Sequence, residues 1–448
     1  MSPHPEDQRR VIAFLSRPES HGLATGTVER IETHCSIVFL AGPHAFKLKR
    51  AIRYSALDYT TPAARRAACE AELVLNRRTA PTLYLTVRAI TRDEKGHLAF
   101  DGPGTAVDHV VVMRRFDQSD LFDAMAARDA LTPALMRELG AAIARFHLAA
   151  ESRPDHGGSE AIERVIAANE RELALTARTL DGAAVDTLSR HARATLAGLA
   201  PLLDWRRSSG RVRRCHGDLR LANICLFGGR PTMFDCIEFS DEIGCIDLLY
   251  DLAFLLMDLE LRGRRDLANA VFNAHADVAP DAMGLRAMPL FLALRAATRS
   301  YALAGGARRQ TDPARALLLA AQARRHVAAG LDFLAPARPR VIAVGGGGAD
   351  RSHRAAACAG RAAPAPGARI VRPDAAGDAA WHEAAETLAA GCSVVIDAAF
   401  GDEAARARAL ALATAHAAPF EGLWSLGPVP PDAAAAWRPP DAAKRTSP

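Results

Sequence analysis

The segment from Cys215 to Phe239, CHGDLRLANICLFGGRPTMFDCIEF, constrains the fold more than any other part of the chain. It places two short apolar runs, which we predict to be β-strands, inside a region whose periodicity is otherwise helical. A loop that supplies Asp218 and Asn223, with Asp235 across the hairpin, brings three oxygen ligands to one point. Such hard oxygen ligands suit Mg²⁺. We interpret the segment as the centre of an active site.

The residues before this segment divide into a small β-rich part and a large helical part. SIVFL and AFKLK flank the turn AGPH and predict a hairpin, and a helix is predicted to begin at Pro62. LYLTVRAITRD, LAFDG and AVDHVVVMRRF predict further strands. Helical periodicity dominates residues 131–205 and returns over 246–334.

A different pattern follows a proline-rich linker at residues 335–340. Residues 341–426 alternate short apolar strands with Ala/Arg-rich helical stretches, which predicts βαβ units on a parallel sheet. Residues 427–448 are rich in proline and alanine, and we expect this tail to be disordered.

The composition excludes several classes of protein. The formal charge is +5, but the arginines are interspersed with acids and no basic block with aromatic residues occurs, so we expect no nucleic-acid partner. No signal peptide and no apolar run of the ~18 residues that span a bilayer is seen, which predicts a cytoplasmic protein without membrane contact. The eight cysteines include no CxxC pair, so a zinc site is not expected.

Lysine is rare in this chain. Only four of the 56 basic residues are lysine, and two of them, Lys47 and Lys49, stand together in HAFKLKR. Arginine does not replace lysine where a compact charge must reach a phosphate. These two lysines are therefore candidates for phosphate binding.

The polar residues of the opening segment fit phosphoryl transfer from ATP. This reaction uses one carboxylate to orient the attacking hydroxyl, and an amide oxygen and a second carboxylate to hold Mg²⁺ against the phosphates. The segment resembles the catalytic and metal loops of aminoglycoside phosphotransferase-like kinases, which share the protein-kinase-like fold and include choline and fructosamine kinases. The resemblance implies that Asp218 is the catalytic base, that His216 shapes the loop, and that Asn223 and Asp235 bind Mg²⁺.

The same resemblance implies an α+β bilobal kinase domain over residues 1–334, with a small β-rich N-lobe and a large helical C-lobe. Lys47 would contact the ATP phosphates, with Lys49 on the same strand face as the alternative. Glu72 would be the carboxylate partner of the lysine, with Glu70 as the alternative and a solvated helix face as the competing interpretation of both.

Backbone from about Met113 to Phe116 would form the hinge that contacts adenine. Asp251, in the family's DLA helix, would hydrogen-bond the catalytic loop. The glycine-rich loop of protein kinases is missing, and we expect the hydroxyls and amides of Thr33 and Ser36 in the turn ETHCS to take its role.

The chain further resembles a two-part bacterial subfamily in which a P-loop kinase-like domain follows the phosphotransferase, over roughly residues 8–426. Here VIAVGGGGADRSH stands where a P-loop would be, without its lysine or final glycine. Depending on the frame, Arg351 or Ser352 takes the lysine position, and Asp397 resembles the acid of the second metal-binding strand. We therefore expect residues 341–426 to be a truncated, degenerate P-loop-like α/β domain.

These features predict an ATP-dependent phosphotransferase that acts on a hydroxyl of a small molecule such as an aminoglycoside, a sugar or an amino alcohol. The alternative is a catalytically weak nucleotide-binding pseudokinase or scaffold protein. A protein kinase is disfavoured because no A-P-E-like segment follows Asp235. Acids near the metal loop are either a site for a cationic acceptor or solvated charges; they are Asp241, Glu242, Asp258 and Glu260.

Overall fold

The computed structural model describes residues 5–54, 57–176, 179–425 and 437–438. The helices are α1 Pro5–Leu15, α2 Pro62–Asn76, α3 Phe122–Ala127, α4 Pro133–Ala149, α5 Gly158–Ala174, α6 Gly182–Ser208, α7 Asp241–Gly244, α8 Leu248–Leu261, α9 Arg265–Val278, α10 Met288–Arg309, α11 Pro313–Leu334, α12 Ala349–Ala359, α13 Pro373–Ala376, α14 Asp378–Ala389 and α15 Glu403–Ala415. The strands are β1 Glu29–Glu32, β2 Ser36–Ala41, β3 His44–Lys49, β4 Arg53–Tyr54, β5 Leu57–Asp58, β6 Tyr84–Arg92, β7 Leu98–Phe100, β8 Thr105–Arg114, β9 Val212–Arg214, β10 Ile224–Phe227, β11 Arg230–Met233, β12 Cys245–Asp247, β13 Val341–Gly345, β14 Arg369–Val371, β15 Val394–Asp397, β16 Phe420–Trp424 and β17 Trp437–Arg438.

The chain forms two compact units. Unit 1 comprises Met1–Ala130 and Arg214–Cys245, and unit 2 comprises Leu131–Arg213 and Ile246–Pro448. The segment from Cys215 to Phe239 thus belongs to unit 1. The proposed division into domains at residues 334 and 341 stays a prediction.

Unit 1 is built on a six-stranded sheet in the order β1-β2-β3-β8-β6-β7, whose neighbouring strands are antiparallel. Strand alternation sends Phe46 and Leu48 of β3 to one face, where they pack with α1, a helix that the sequence analysis did not predict. Lys47 and Lys49 lie on the opposite face, the face on which α2 packs. The predicted hairpin of β2 and β3 and the helix beginning at Pro62 are confirmed.

Helix α2 begins with a capped first turn. Thr61 is the N-cap, its side chain accepts a hydrogen bond from the Ala64 amide, and Pro62 occupies the first helical position. One stripe of α2 is buried, and that stripe includes Glu72. The sequence therefore sets both the start of the helix and the face that carries this carboxylate.

Unit 2 begins with the helices α4 to α6 and α8 to α11. Every residue of α8 from Leu248 to Met257 is buried, as its nearly continuous apolar sequence requires. Arg206 is fully buried in this unit, and its guanidinium is neutralised by Asp247 and Asp281. Among the described residues, no helix is both long enough and apolar enough to cross a membrane.

A five-stranded parallel sheet in the order β14-β15-β13-β16-β17 completes unit 2, as the βαβ pattern predicts. Residues 335–340 have no regular secondary structure. Polar side chains of α9 contact β14, the strand at one edge of this sheet. Asn273 accepts a hydrogen bond from the Ile370 amide at 2.7 Å, and Asp277 pairs with Arg369 at 2.6 Å.

In the tail that we expected to be disordered, residues 427–448, the structure describes only Trp437 and Arg438. Trp437 and Arg438 form the strand β17, and Trp437 is buried against Phe400 and Trp424. For these two residues the prediction of disorder is wrong, because a large aromatic ring fills the sheet edge. Residues 427–436 and 439–448 lie outside the described residues.

Candidate active site

The backbone around His216 and Gly217 fixes the shape of the loop that carries Asp218. His216 is fully buried, and its Nε2 lies 2.9 Å from the Phe234 carbonyl. Since a carbonyl only accepts, Nε2 carries the proton and leaves Nδ1 to accept from the Asp218 amide at 3.4 Å. Gly217 has φ +85°, and an added Cβ would lie 2.9 Å from Ile237, so this position requires glycine.

Two side chains orient the Asp218 carboxylate. Arg220 donates to both oxygens, from Nε to Oδ1 at 2.7 Å and from Nη2 to Oδ2 at 3.0 Å. Asn223 donates from Nδ2 to Oδ2 at 2.8 Å and to the Asp218 carbonyl at 2.9 Å. Burial alone would raise the pKa of Asp218, but the charge and hydrogen bonds of Arg220, together with His216 and Asn223, outweigh burial and hold this pKa below its usual range.

Asp235 follows β11 in an unusual backbone conformation. Its φ is +63°, in the left-handed region that aspartate tolerates better than most residues. Side chains from β6 and α2 accept hydrogen bonds from the backbone of this loop. Asp235 N donates to the Tyr84 hydroxyl at 3.2 Å, and Cys236 N donates to Asn76 Oδ1 at 2.9 Å. The Phe234 amide donates to the Asn223 carbonyl at 3.0 Å, which links this loop to the one carrying Asp218.

Lys47 of β3 joins α2 to the loop of residues 234–239, which carries Asp235 and is called the metal loop below. Its Nζ lies 2.8 Å from Glu72 Oε1 and 2.5 Å from Asp235 Oδ1. Burial lowers the pKa of Lys47, but Asp235 and Glu72 outweigh burial and raise this pKa well above its ordinary value. The predicted pairing of Lys47 with Glu72 is therefore present, whereas Glu70 is exposed and pairs with Arg66.

Lys49 makes a second, parallel set of contacts. Its Nζ lies 2.6 Å from Glu72 Oε2 and also pairs with Glu238 Oε1. The Tyr59 hydroxyl donates to Glu238, and the Lys49 ammonium lies 5.1 Å from the centre of the Tyr59 ring. Burial would raise the pKa of Glu72, but Lys47 and Lys49 together lower it to about 2. Glu72 is thus shared by two lysines, one on each oxygen.

These residues line one cleft of about 550 Å³ within unit 1. The lining includes Lys47, Lys49, Met113, Asp218, Arg220, Asn223, Asp235 and Glu238. The predicted site residues of unit 1 therefore meet in one place, with His216 and Glu72 behind the lining. The hinge position also belongs to this cleft, since Met113 and Phe116 line it.

The turn between β1 and β2 closes on itself. Thr33 Oγ1 accepts from the Ser36 amide and donates to the Ser36 carbonyl, each at 3.0 Å. Thr33 and Ser36 both line the cleft. The expectation that their hydroxyls and amides take the role of a glycine-rich loop stays a prediction.

Most of the acids considered for a cationic acceptor are paired within the protein. Asp241 pairs with Arg214 at 2.5 Å in unit 1. In unit 2, Asp258 lies 3.1 Å from Arg262 and Glu260 lies 2.9 Å from Arg265.

Asp251 belongs to unit 2, where its carboxylate lies 3.1 Å from His147 Nε2. His147 Nδ1 in turn lies 3.1 Å from His275, and burial followed by the neighbouring His147 lowers the pKa of His275 to about 3. The contact between Asp251 and the catalytic loop stays a prediction.

Four residues around the cleft were missed by the sequence analysis: Arg220, Glu238, Asn76 and Tyr84. Glu238 follows Asp235 by three residues and Arg220 follows Asp218 by two, so both carried a signal of proximity in the sequence. Asn76 and Tyr84 carried none, because only the packing of α2 and β6 brings them to the metal loop.

The glycine-rich loop after β13 is closed by its own side chains. Arg351 Nε lies 2.7 Å from Asp397 Oδ1, and Arg351 Nη1 donates to the Gly346 carbonyl at 3.2 Å. Ser352 donates to Asp397 Oδ2 at 2.9 Å, and Asp397 is almost fully buried. Arg351 and Ser352, the residues compared with the P-loop lysine in the sequence, are thus both bonded to Asp397.

Comparisons with curated proteins find relatives in mycobacteria. Uncharacterized proteins of Mycobacterium bovis and Mycobacterium tuberculosis are 30% identical to this chain over 273 residues. The match covers 60% of this chain and 53% of each relative, so the chain spans about half the length of the curated relatives it matches.

Solved structures with a similar fold include a choline/ethanolamine kinase family protein from Mesorhizobium loti, 18% identical, covering 72% of this chain and 99% of that one, with a TM-score of 0.43. An amicoumacin kinase bound to AMP-PNP, Ca²⁺ and amicoumacin is 16% identical, covering 73% and 94%, with a TM-score of 0.43. The aminoglycoside phosphotransferase APH(2'')-Ib is 12% identical, covering 72% and 98%, with a TM-score of 0.37.

A family model settles the classification. The model of the phosphotransferase enzyme family, APH, matches residues 57–286, which is just over half of the chain and contains the two loops and the helix α2 described above. The chain has the protein-kinase-like fold of that family, with an antiparallel β-rich N-lobe and a helical part. This protein belongs to the phosphotransferase enzyme family.

Proposed function

We propose that this protein transfers the γ-phosphoryl group of ATP to a hydroxyl of a small molecule, with Mg²⁺ as cofactor. The observation that carries the proposal is the meeting of Lys47, Asp218, Asn223 and Asp235 in one cleft, with Lys47 bonded to both Glu72 and Asp235. A cation, a carboxylate base and two oxygen ligands are the parts that phosphoryl transfer requires.

Asp218 would orient the attacking hydroxyl. Its Oδ2 accepts two hydrogen bonds, from Arg220 and Asn223, whereas its Oδ1 accepts one from Arg220. A carboxylate oxygen has two lone pairs, so Oδ1 is the better acceptor for the substrate hydroxyl. The hydroxyl oxygen forms the new bond to phosphorus, its proton passes to Asp218, and ADP leaves with the electrons of the broken bond.

The residues present fit a magnesium ion. Asn223 commits its amide nitrogen to Asp218, so its carbonyl oxygen is the atom that can ligate a cation. The Asp235 side chain is 41% exposed and offers carboxylate oxygens from the other loop. Asn223 and Asp235 would hold Mg²⁺, which when bound would neutralise negative charge on the phosphates.

Lys47 would hold the phosphates, with Glu72 behind it as the fixed counter-charge. At the hinge, the amides of Arg114 and Arg115 donate to the carbonyls of Leu83 and Pro43. Within the described part of the chain the Phe116 amide has no backbone acceptor, so we assign it the hydrogen bond to adenine.

The acceptor is a small molecule, and the pairing of Asp241 favours one with little positive charge. Within unit 1, Asp241 pairs with Arg214 at 2.5 Å, and a cationic acceptor bound at this acid would have to displace that arginine. We therefore rank sugars and other neutral hydroxyl compounds above aminoglycosides.

We further propose that residues 341–426 are a degenerate P-loop-like region that binds no nucleotide. Asp397 holds Arg351 and Ser352, the side chains that would face phosphate, and its negative charge would repel a phosphate placed there.

The experiment that tests the function is a screen of ATP consumption against sugars, amino sugars and amino alcohols, with the Asp218→Asn variant as the control. We expect magnesium-dependent ADP formation with at least one acceptor, and its loss in the variant. Binding of MgATP without transfer to any acceptor would favour the pseudokinase alternative instead.

A further inference from the structure

The metal loop carries two acids, and each pairs with one lysine of β3. Asp235 pairs with Lys47, and three residues later Glu238 pairs with Lys49. The two lysines are two residues apart on one strand face and share Glu72. Two ion pairs thus connect β3 to the metal loop: the first rung is Lys47–Asp235 and the second rung is Lys49–Glu238. The proposed reaction needs only the first.

Exposure separates the two rungs. The Asp235 side chain is 41% exposed and Lys47 is 10% exposed, so a ligand can reach the first rung. The Lys49 and Glu238 side chains also border the cleft but are only 2% and 5% exposed, so a ligand has far less access to the second rung. A buried ion pair persists only where both charges are satisfied, and here Tyr59 and Glu72 supply the remaining contacts.

We propose that Lys49, Glu238 and Tyr59 form a latch that fixes the metal loop to β3 and so positions Asp235 for the cation. The proposal rests on the proposed function of this cleft. Lys47 must turn toward phosphate during the reaction, and Asp235 then loses its lysine partner. The second rung keeps the loop attached to β3 through that exchange.

The backbone conformation of the metal loop explains why the loop needs a second attachment. Asp235 adopts a left-handed φ of +63°, which is unfavourable for a residue other than glycine and persists only where neighbouring contacts hold it. Asn76 and Tyr84 hold the amides of Cys236 and Asp235 from α2 and β6. Glu238, three residues after Asp235 in the same loop, attaches the loop to β3 through its ion pair with Lys49.

The test compares Lys49→Met, Glu238→Met and the double variant in the full chain, with Lys95→Met, an exposed lysine in the turn after β6, as the matched control. Calorimetry of ATP binding at increasing Mg²⁺ gives the magnesium concentration for half-maximal binding. We expect each single variant to raise it by about 10–100-fold, as loss of a group that orients a metal ligand does. The double variant should resemble the worse single variant, because both remove the same pair.

Milder variants keep the test valid if the methionine variants do not fold. Tyr59→Phe removes only the hydroxyl that donates to Glu238, and it should shift the magnesium requirement in the same direction by a smaller factor. Amide hydrogen exchange measured without nucleotide provides an independent readout: the amides of Cys236 and Ile237 should exchange faster in Tyr59→Phe and Glu238→Met than in the wild type.

The outcomes separate the latch from the function. An unchanged magnesium requirement and unchanged exchange at Cys236 and Ile237, in variants of a wild type that does bind MgATP, would overturn the latch and leave the function standing. Failure of the wild type to bind MgATP would remove the proposed function, and with it the role of the latch in metal binding.

Discussion

Two loops in this protein pair a cation with an acid after a β-strand, and they do so differently. In unit 1, Asp235 is 41% exposed, pairs with Lys47 and borders a cleft of about 550 Å³. In unit 2, Asp397 is only 1% exposed and holds Arg351 and Ser352. Both cations have a further partner, Glu72 for Lys47, and Asp374 with the Gly346 carbonyl for Arg351. The difference lies in the acid, which is open to a ligand in unit 1 and buried in unit 2, so we expect only the first loop to bind phosphate.

The largest effect is expected at Asp218, the proposed catalytic carboxylate of unit 1. Asp218→Asn should lower turnover by about 10²–10⁴-fold, because an amide cannot accept the hydroxyl proton. MgATP binding should persist, since Asp218 is not the proposed metal ligand. Steady-state assays with the acceptor found in the screen measure the loss, and a variant with full turnover would remove Asp218 from catalysis.

The next effect concerns the shared carboxylate. Glu72→Gln should lower the free energy of unfolding by about 3–5 kcal/mol, because two buried lysines lose the charge that neutralises both. Chemical denaturation measures this difference. The matched control is Glu70→Gln on the same helix, which breaks only an exposed i,i+4 pair with Arg66 and should cost about 0.5 kcal/mol or less. Equal losses in the two variants would contradict the account.

A pH series tests whether the stabilisation comes from the negative charge of Glu72. The pKa of Glu72 falls from 4.5 to about 2 on folding, so its ionised form stabilises the folded protein above pH 4.5. This stabilisation is lost as the pH falls from 4.5 through about 2. The difference in unfolding free energy between wild type and Glu72→Gln should therefore be constant at neutral pH and shrink below pH 4.5. A difference that is independent of pH down to 2.5 would show that the charge of Glu72 does not matter.

The smallest effect is expected in the loop of unit 2. Arg351→Ala should leave MgATP affinity and turnover unchanged, because Arg351 is bound to Asp397 and not to nucleotide in this account. The change should appear only as a lower free energy of unfolding, since Asp397 loses its closest cation. Weaker nucleotide binding in this variant would mean that the loop is a working phosphate site.

Much of this contrast could be predicted from sequence because the relevant signals are local. The spacing from His216 to Asn223, the strand alternation that puts Lys47 and Lys49 on one face, and the missing lysine after β13 are all visible over short stretches. The choice of Glu72 over Glu70 came from the family resemblance, through its spacing to the end of the helix, and the structure places Glu72 on the buried stripe of α2. The β-strands of the parallel sheet were also recognisable as short apolar runs between helical stretches.

The rest depends on contacts between distant segments. Tyr84 and Asn76 reach the metal loop only through the packing of β6 and α2, and no sequence pattern places them there. The use of both lysines was missed because strand alternation shows that Lys47 and Lys49 share a face but not that Glu72 has an oxygen for each. The hydrogen bonds between Thr33 and Ser36 that close the turn could not be predicted either, because the sequence does not show which partner a hydroxyl takes.

The most direct test of the central claim is a calorimetric count of MgATP sites in the full chain, repeated with Asp235→Asn and Arg351→Ala. The account predicts one site per chain, weakened in Asp235→Asn because a proposed ligand of Mg²⁺ loses its charge, and unchanged in Arg351→Ala. Two sites per chain, or a single site that survives in Asp235→Asn and disappears in Arg351→Ala, would contradict it.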